Sequence, residues 1–502
     1  MVVAVAHLFR HGQRSPYPPP LSESAAGPSI WTSRRSPPAE SWNLTASAFA
    51  AQHLTPHGAA LLRHLGEYLA VDYRYRDPCA ADVTLYADGT SFRDVQSARA
   101  FAGGFFGRRS CTAARAAAIV EVTAAAQPLL LPLVSDDVEV GCAGPSEADV
   151  LRSFGGDVDA LAAAYKPQID RVGSLLGCCS AEVCNRHGLG RRDCSLSDLP
   201  HTFHPGRYYS YFDGALSIAG YYADAWMLQA VSGVEPFAWG ELTLPELSEL
   251  YRVHQRVMWL GASLNASRGR ASHALASLLA SFEQVVRGEP QAGAAAPQWR
   301  APAGLVAGSP VASTDCKTTN CDRPGERPSD DMPLTLALFA HDFNLLFWRQ
   351  LLRLHWVVDS WQLDAASTGS FLSFELRYDA PTSVASGPDG GWRVVGFFTA
   401  ATVLQQRRRT PLVPPHPPPG RATVLDVPYS QFRDLVLAAV DPRCVLQPLR
   451  DTIARLRDRA HEPPSSPLDS TPAVLAAAVV GFACSLCGVL MVRASRPYLQ
   501  MP

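Results

Sequence analysis

The stretch VVAVAHLFRHGQRSP, Val2 to Pro16, joins an apolar run to a cluster of cationic side chains. Val2 to Phe9 is short, β-branched and mostly apolar, the pattern of a buried strand rather than a helix. Gly12 and Pro16 then break it. Arg10, His11 and Arg14 are thus delivered at the end of a strand, where open α/β sheets build their sites. A second run, LTLALFAHD, ends in His341 and Asp342 in the same way. If the two strands lie parallel in one sheet, two histidines, several arginines and a carboxyl group share one crevice.

That set of residue types has a chemistry. Arginine pairs with phosphate oxygens through two hydrogen bonds and stays charged at any working pH. A neutral, oriented histidine is a nucleophile toward phosphorus. An aspartic acid can protonate a departing alkoxide. Together they point to transfer of a phosphoryl group to water.

At these residues the chain resembles the histidine acid phosphatase family, which includes acid phosphatases and phytases. RHGQRSP matches that family's RHGxRxP signature, and AHDFN its His-Asp motif. LTPHG resembles its LTPxG helix start, and FRDVQSARAFAGGF its segment with a phosphate-binding arginine. DGALSIAGYYADAWMLQ, LYRVHQRVMWLG and GCCS are similar to the helical region of phytase-like members. The likeness runs from Val2 to about Tyr378.

The resemblance implies that His11 attacks phosphorus and forms a phosphohistidine. It implies that Arg10, Arg14, Arg93 and His341 bind the phosphate, and that Asp342 protonates the leaving oxygen. It also implies that Gly12 lets the backbone pass close to the phosphate. No cofactor or metal is expected, because the arginines supply the positive charge. Two positions depart from the family pattern. Asp94 follows Arg93 where the family has threonine, and Asp224 stands where phytase-like members have glutamate. A carboxylate beside Arg93 is expected to weaken its field, and Asp224 is a candidate for contact with the leaving group. Histidines His7, His53, His57, His201 and His204 are read as structural or surface residues.

The remaining sequence bounds the setting. The chain has 502 residues, 47% of them hydrophobic, enough for a large core. The net charge of −2 gives no field for nucleic acid. Lys166 and Lys317 are the only lysines. Ten cysteines precede residue 450, which favours disulfides and an oxidising compartment, with their pairing left open. Sequons at Asn43 and Asn265 agree with secretion.

Ala473 to Val492 is 20 residues without a charge, long enough to span a bilayer. Arg493 and Arg496 then place a short tail in the cytosol. Tyr498 to Met501 resembles an endosomal or lysosomal sorting signal for an adaptor. A single-pass type I membrane protein follows, with its catalytic part lumenal or extracellular. Met1 leads straight into the first strand, so the signal peptide such a protein needs is expected to be missing from this chain.

The expected fold is α/β: a mixed central sheet flanked by helices, with an inserted smaller, mainly α-helical domain and a C-terminal transmembrane helix. The phosphatase core occupies 1–140 and 334–455. A helical cap fills 141–285, and a low-complexity insertion 286–333. A stalk spans 456–472, the membrane helix 473–492 and the tail 493–502. The stretch RRRTPLVPPHPPPGRA is expected to be a loop with a solvated arginine run. Phosphate monoesters are the expected substrates. The alternative is an inactive phosphatase-like ectodomain that binds a partner.

Overall fold

The computed structural model describes residues 1–18, 29–75, 78–107, 111, 119–122, 142, 144–189, 193–205, 210–300, 332–379 and 391–461. Strand β1 (Val2–Arg10) is buried from Val3 onward, as a strand lying between two others must be. The other strands of its sheet are β2 (Val83–Asp88), β3 (Ile119–Val122), β4 (Leu334–Ala340), β5 (Phe371–Tyr378), β6 (Trp392–Ala400) and β7 (Gly420–Pro428). Their order is β3-β2-β4-β1-β5-β6-β7. The first four are mutually parallel, and β5, β6 and β7 add antiparallel.

The expected parallel pairing of the two histidine-ended strands is present. Phe9 sits opposite Phe339, and Arg10 opposite Ala340. Beneath them, Phe9 stacks with Phe339 and Phe371 at centroid distances of 4.8 and 4.4 Å. This aromatic layer closes the core just below the strand ends.

Helix α1 (Pro56–Asp72) begins where Thr55 caps it, its hydroxyl accepting from the Gly58 amide at 2.9 Å. Pro56 at the first helical position needs no amide partner. Leu61, Leu65 and Leu69, four residues apart, form its buried stripe. Helix α2 (Phe92–Phe105) packs beside it. In the middle of the chain lie α3 (Ala215–Val231), α4 (Leu244–Gly261) and α5 (Leu264–Arg287). Their Trp226, Leu250 and Leu279 belong to the same apolar cluster as Leu338 and Phe374 of the sheet. Met1–Ala460 is one compact unit.

After β4, helix α6 (Asp342–Leu352) starts directly at the histidine motif, with His341 as its N-cap residue. The arginine stretch is not a plain loop. Helix α7 (Val403–Arg408) forms there, held by a capping box between Thr402 and Gln405, and it buries Gln405 and Gln406. Strand β7 begins at Gly420 within the same stretch. It lies at the sheet edge with alternate residues exposed, so its apolar signal in sequence is weak. Helices α8 (Tyr429–Ala439) and α9 (Leu449–His461) complete the described fold.

Eight described cysteines form four disulfides: Cys79–Cys111, Cys142–Cys444, Cys178–Cys179 and Cys184–Cys194. Cys316 and Cys321 lie outside the described residues. Among the described residues no helix is long and apolar enough to cross a membrane. The expected span 473–492, the tail with Tyr498 to Met501, and most of the insertion and stalk lie outside them.

Candidate active site

Three parallel strands end side by side and set the floor of the site: β1 at Arg10, β2 at Asp88 and β4 at Ala340. His11 follows β1 immediately. Its amide donates to the Ala340 carbonyl at 2.9 Å, and its own carbonyl accepts from Gly369 at 2.9 Å. The backbone is therefore held on both sides. The ring is buried, 3% exposed, with Nδ1 2.8 Å from the Gly12 carbonyl oxygen. A carbonyl can only accept, so Nδ1 carries the proton and Nε2 keeps its lone pair. Burial pushes the imidazole well below its ordinary value, and the charges of Arg93, Arg10, His341 and Arg14 add to this. His11 is thus a neutral base with a fixed tautomer.

Three guanidinium groups converge on it. Arg10 is 1% exposed and reaches Oδ2 of Asp342 at 2.8 Å and the Ala366 carbonyl at 2.5 Å. Burial works against its charge, but Asp342, Tyr251 and Asp224 together raise its pKa. Arg14 is buried and lies 3.8 Å from Asp224, its guanidinium 4.0 Å above the ring of Tyr17. Arg93, near the start of α2, donates to the Tyr17 hydroxyl at 2.9 Å.

His341 stands edge-on to His11, with ring centroids 5.6 Å apart. Its Nε2 lies 3.3 Å from Oδ2 of Asp94 and 3.6 Å from Oδ2 of Asp88. Asp94 is fully buried, and burial pushes its carboxyl up to about 6 despite the neighbouring His341 and Arg93. Asp342 behaves in the opposite sense. Burial raises its pKa, but Arg10, His254, His341 and Arg14 overcome this and hold it below the ordinary carboxyl value.

All six residues named from the sequence, His11, Asp342, Arg10, Arg14, Arg93 and His341, therefore meet at one end of the sheet. Gly12 lies among them, and its missing side chain meets a packing need that the sequence did not show. A Cβ on it would lie 2.5 Å from Leu62, 2.8 Å from Leu54 and 2.9 Å from the Gly58 carbonyl. The glycine makes room for the start of α1. Gly58 is its counterpart, since a Cβ there would lie 2.4 Å from the Gln13 carbonyl oxygen. Gln13 itself is buried and bonds Gln406 at 2.8 Å, so it supports the loop from behind.

Four residues that the sequence did not single out join the site: Tyr17, Asp88, Tyr251 and His254. Asp224 joins them, bridging Arg14 and the Nε2 of His254 at 3.8 and 3.5 Å. Tyr251 and His254 are three residues apart on α4 and both line a small cavity with Arg10 and Asp342. Only that helical spacing hinted at them, and it also fits an ordinary buried stripe. His7 is structural as expected, bonded to Ser373 at 2.8 Å.

His11, Asp94 and His341 each offer one ligand atom within 4.8 Å of the others, the one such cluster among the described residues. Three arginine charges act beside the same ring. That field favours an anion's oxygens over a cation.

No family model and no curated protein sequence matches the chain. Solved structures do. A phytase of Hafnia alvei in complex with myo-inositol hexakis sulphate superposes with a TM-score of 0.64 at 19% identity, covering 89% of this chain and 98% of that one. A phytase of Citrobacter braakii gives 0.62 at 18%, covering 89% and 100%. A Klebsiella phytase gives 0.62 at 17%, covering 90% and 98%. Along nearly the whole length of those enzymes, this chain has the phytase fold.

Proposed function

We propose that the chain is a histidine acid phosphatase that hydrolyses phosphate monoesters through a phosphohistidine on His11. The observation that carries this reading is the Nδ1 contact of His11 with the Gly12 carbonyl at 2.8 Å, which leaves Nε2 free inside a ring of three arginines. The similarity to phytases agrees with it.

In the first step Nε2 of His11 attacks phosphorus and the P–O ester bond breaks. The leaving alkoxide takes a proton from Asp342. The phosphoimidazole then carries a positive charge, stabilised by the Nδ1–H bond to Gly12. Arg10, Arg14, Arg93 and His341 donate to the phosphoryl oxygens, where charge gathers in the transition state. In the second step water attacks phosphorus, the P–N bond breaks and the Asp342 carboxylate takes the water's proton. His11 is regenerated and phosphate leaves. These cationic donors supply the charge neutralisation, so the reaction needs no metal.

The intact pairing of nucleophile and proton donor argues against a purely binding ectodomain. The disulfides support a lumenal or extracellular setting. Placement as a type I endosomal, lysosomal or cell-surface membrane protein rests on the sequence of 473–502 alone.

The deciding test is hydrolysis of phenyl phosphate at pH 5 with chelator present, comparing wild type with His11→Ala. Chelator-resistant activity that disappears in the variant supports the reading. Equal activity in both, or none in folded wild type, overturns it.

A further inference from the structure

A second cavity, of about 170 Å³, lies between α4 and α6. Two arginines line it, Arg256 from α4 and Arg349 from α6, and Trp259 lies between them. Their guanidinium carbons lie 5.5 and 4.9 Å from the Trp259 ring centre. The Nε of Arg256, the Nε of Arg349 and the Nε1 of Trp259 are all buried, and none has a hydrogen-bond partner among the described residues. These three N–H groups are sealed within the wall of the cavity and do not open onto it; what the cavity meets is the rest of the two guanidinium groups and the indole.

The charge says which kind of ligand fits. No carboxylate lines the cavity among the described residues. The carboxylate that meets these side chains is Asp364, fully buried and already paired to Arg349 and His355. Arg256 has no such partner in any ion pair of the described residues. Two guanidinium groups, one of them uncompensated, in a lining without a carboxylate fit an oxyanion, which accepts on every face. A water occupies about 30 Å³ in liquid, so the cavity has space for a phosphate.

Its position adds a further constraint. Trp259 also lines the small cavity that holds Arg10 and Asp342. Asp364 lines that cavity too, while its carboxylate holds Arg349. The two pockets therefore share a wall. We propose that Arg256, Trp259 and Arg349 form a second phosphate-binding site next to the catalytic one. The anion site stands on the two arginines and the cavity they line; the choice of phosphate over other oxyanions rests on the phosphatase reading. The group bound is either free inorganic phosphate or a further phosphate on the same substrate.

The test uses the full chain, with Arg256→Gln and Trp259→Phe as variants. Neither breaks an ion pair, whereas replacing Arg349 would strand Asp364. Calorimetric titration with inorganic phosphate is expected to show two sites in wild type. The non-catalytic site should weaken about tenfold or more in Arg256→Gln and by a smaller factor in Trp259→Phe. In Arg256→Gln, whose side chain does not line the catalytic cavity, the catalytic site, read as competitive inhibition of phenyl phosphate hydrolysis, should stay as it was. A bisphosphate substrate separates the sources. If the site takes a second phosphate of the substrate, Arg256→Gln raises KM for the bisphosphate and not for phenyl phosphate. If it takes free phosphate, the bisphosphate KM is unchanged and only the titration responds. Phosphate binding and both KM values unchanged in the variants overturn the proposal. Should the chain hydrolyse nothing, the titration still decides the anion site.

Discussion

Nη2 of Arg10 lies 2.8 Å from Oδ2 of Asp342, across the ends of two adjacent parallel strands. The contact fixes where the proposed proton donor points. It also sets the donor's resting state. Burial raises the Asp342 pKa, yet Arg10 and its neighbours bring it below the ordinary 3.8. The free protein therefore holds a carboxylate there. The proton for the leaving group must come in with the substrate, or be taken up once the phosphate has neutralised the arginine charge.

That requirement predicts the pH profile. A phosphate monoester loses its second proton near pH 6. The reactive combination is one proton shared between substrate and Asp342, so kcat/KM should fall about tenfold per pH unit well above pH 6. A flat profile from pH 5 to 8 removes Asp342 from the mechanism. Asp342→Asn should slow alkyl phosphates by about 10²–10⁴ and p-nitrophenyl phosphate much less, because nitrophenolate leaves without a proton. Equal losses on both would mean that Asp342 only orients Arg10.

Much of this site was legible from residue order. An apolar β-branched run that stops at Arg10-His11, and another that stops at His341-Asp342, can form parallel strands only with their ends together. The buried face of α1 was equally plain, since Leu61, Leu65 and Leu69 keep helical spacing. Edge strand β7 was not legible, because none of its residues is fully buried and a proline-rich stretch runs directly into its start at Gly420. Tyr17 was hidden for another reason. Its role depends on Arg14, just before it in sequence, and Arg93, 76 residues after it, reaching the same side chain. The packing need at Gly12 was hidden as well, because the group that needs its missing side chain is Leu62 on another element.

Asp94 gives a stability prediction with an unusual sign. Its folded pKa of about 6 lies above the unfolded 3.8 because burial disfavours the carboxylate. Its contribution is most favourable below pH 3.8 and is lost as pH rises through 6. Neither carboxylate oxygen has a hydrogen-bond partner among the described residues. Asp94→Asn should therefore raise the melting temperature at pH 7.5, by the equivalent of roughly 1–3 kcal/mol, and give little or no gain at pH 4. A gain of equal size at both pH values would show that charge is not the cause.

The crossing of Gly12 and Gly58 predicts a second stability effect. A methyl group on Gly58 would meet the Gln13 carbonyl oxygen at 2.4 Å and its nitrogen at 2.6 Å, both backbone atoms that cannot step aside. The Thr55 amide bonds that same carbonyl at 2.9 Å, so the start of α1 and the Arg14 loop must move together. Gly58→Ala should cost about 2–4 kcal/mol in denaturant unfolding. In whatever fraction still folds, kcat should fall as well, since Arg14 follows Gln13 directly. A variant as stable and as active as wild type would contradict this packing.

Tyr17 provides the remaining prediction, and it bears on substrate entry. Its hydroxyl accepts from Arg93 at 2.9 Å, while its ring lies 4.0 Å below the guanidinium of Arg14. In the resting site these contacts occupy donors that a phosphate will need. The hydroxyl competes with substrate for Arg93, and the ring steadies Arg14. Tyr17→Phe removes only the competition, so inorganic phosphate should inhibit about three- to fivefold more tightly, in line with about 1 kcal/mol for one hydrogen bond. Tyr17→Ala also removes the ring, worth about 0.5–1 kcal/mol at a part-exposed position, so phosphate should bind it less tightly than it binds Tyr17→Phe. Inhibition constants from competition assays at pH 5 separate the two effects. If Tyr17→Phe binds phosphate more weakly than wild type, the hydroxyl is a substrate ligand and not a competitor.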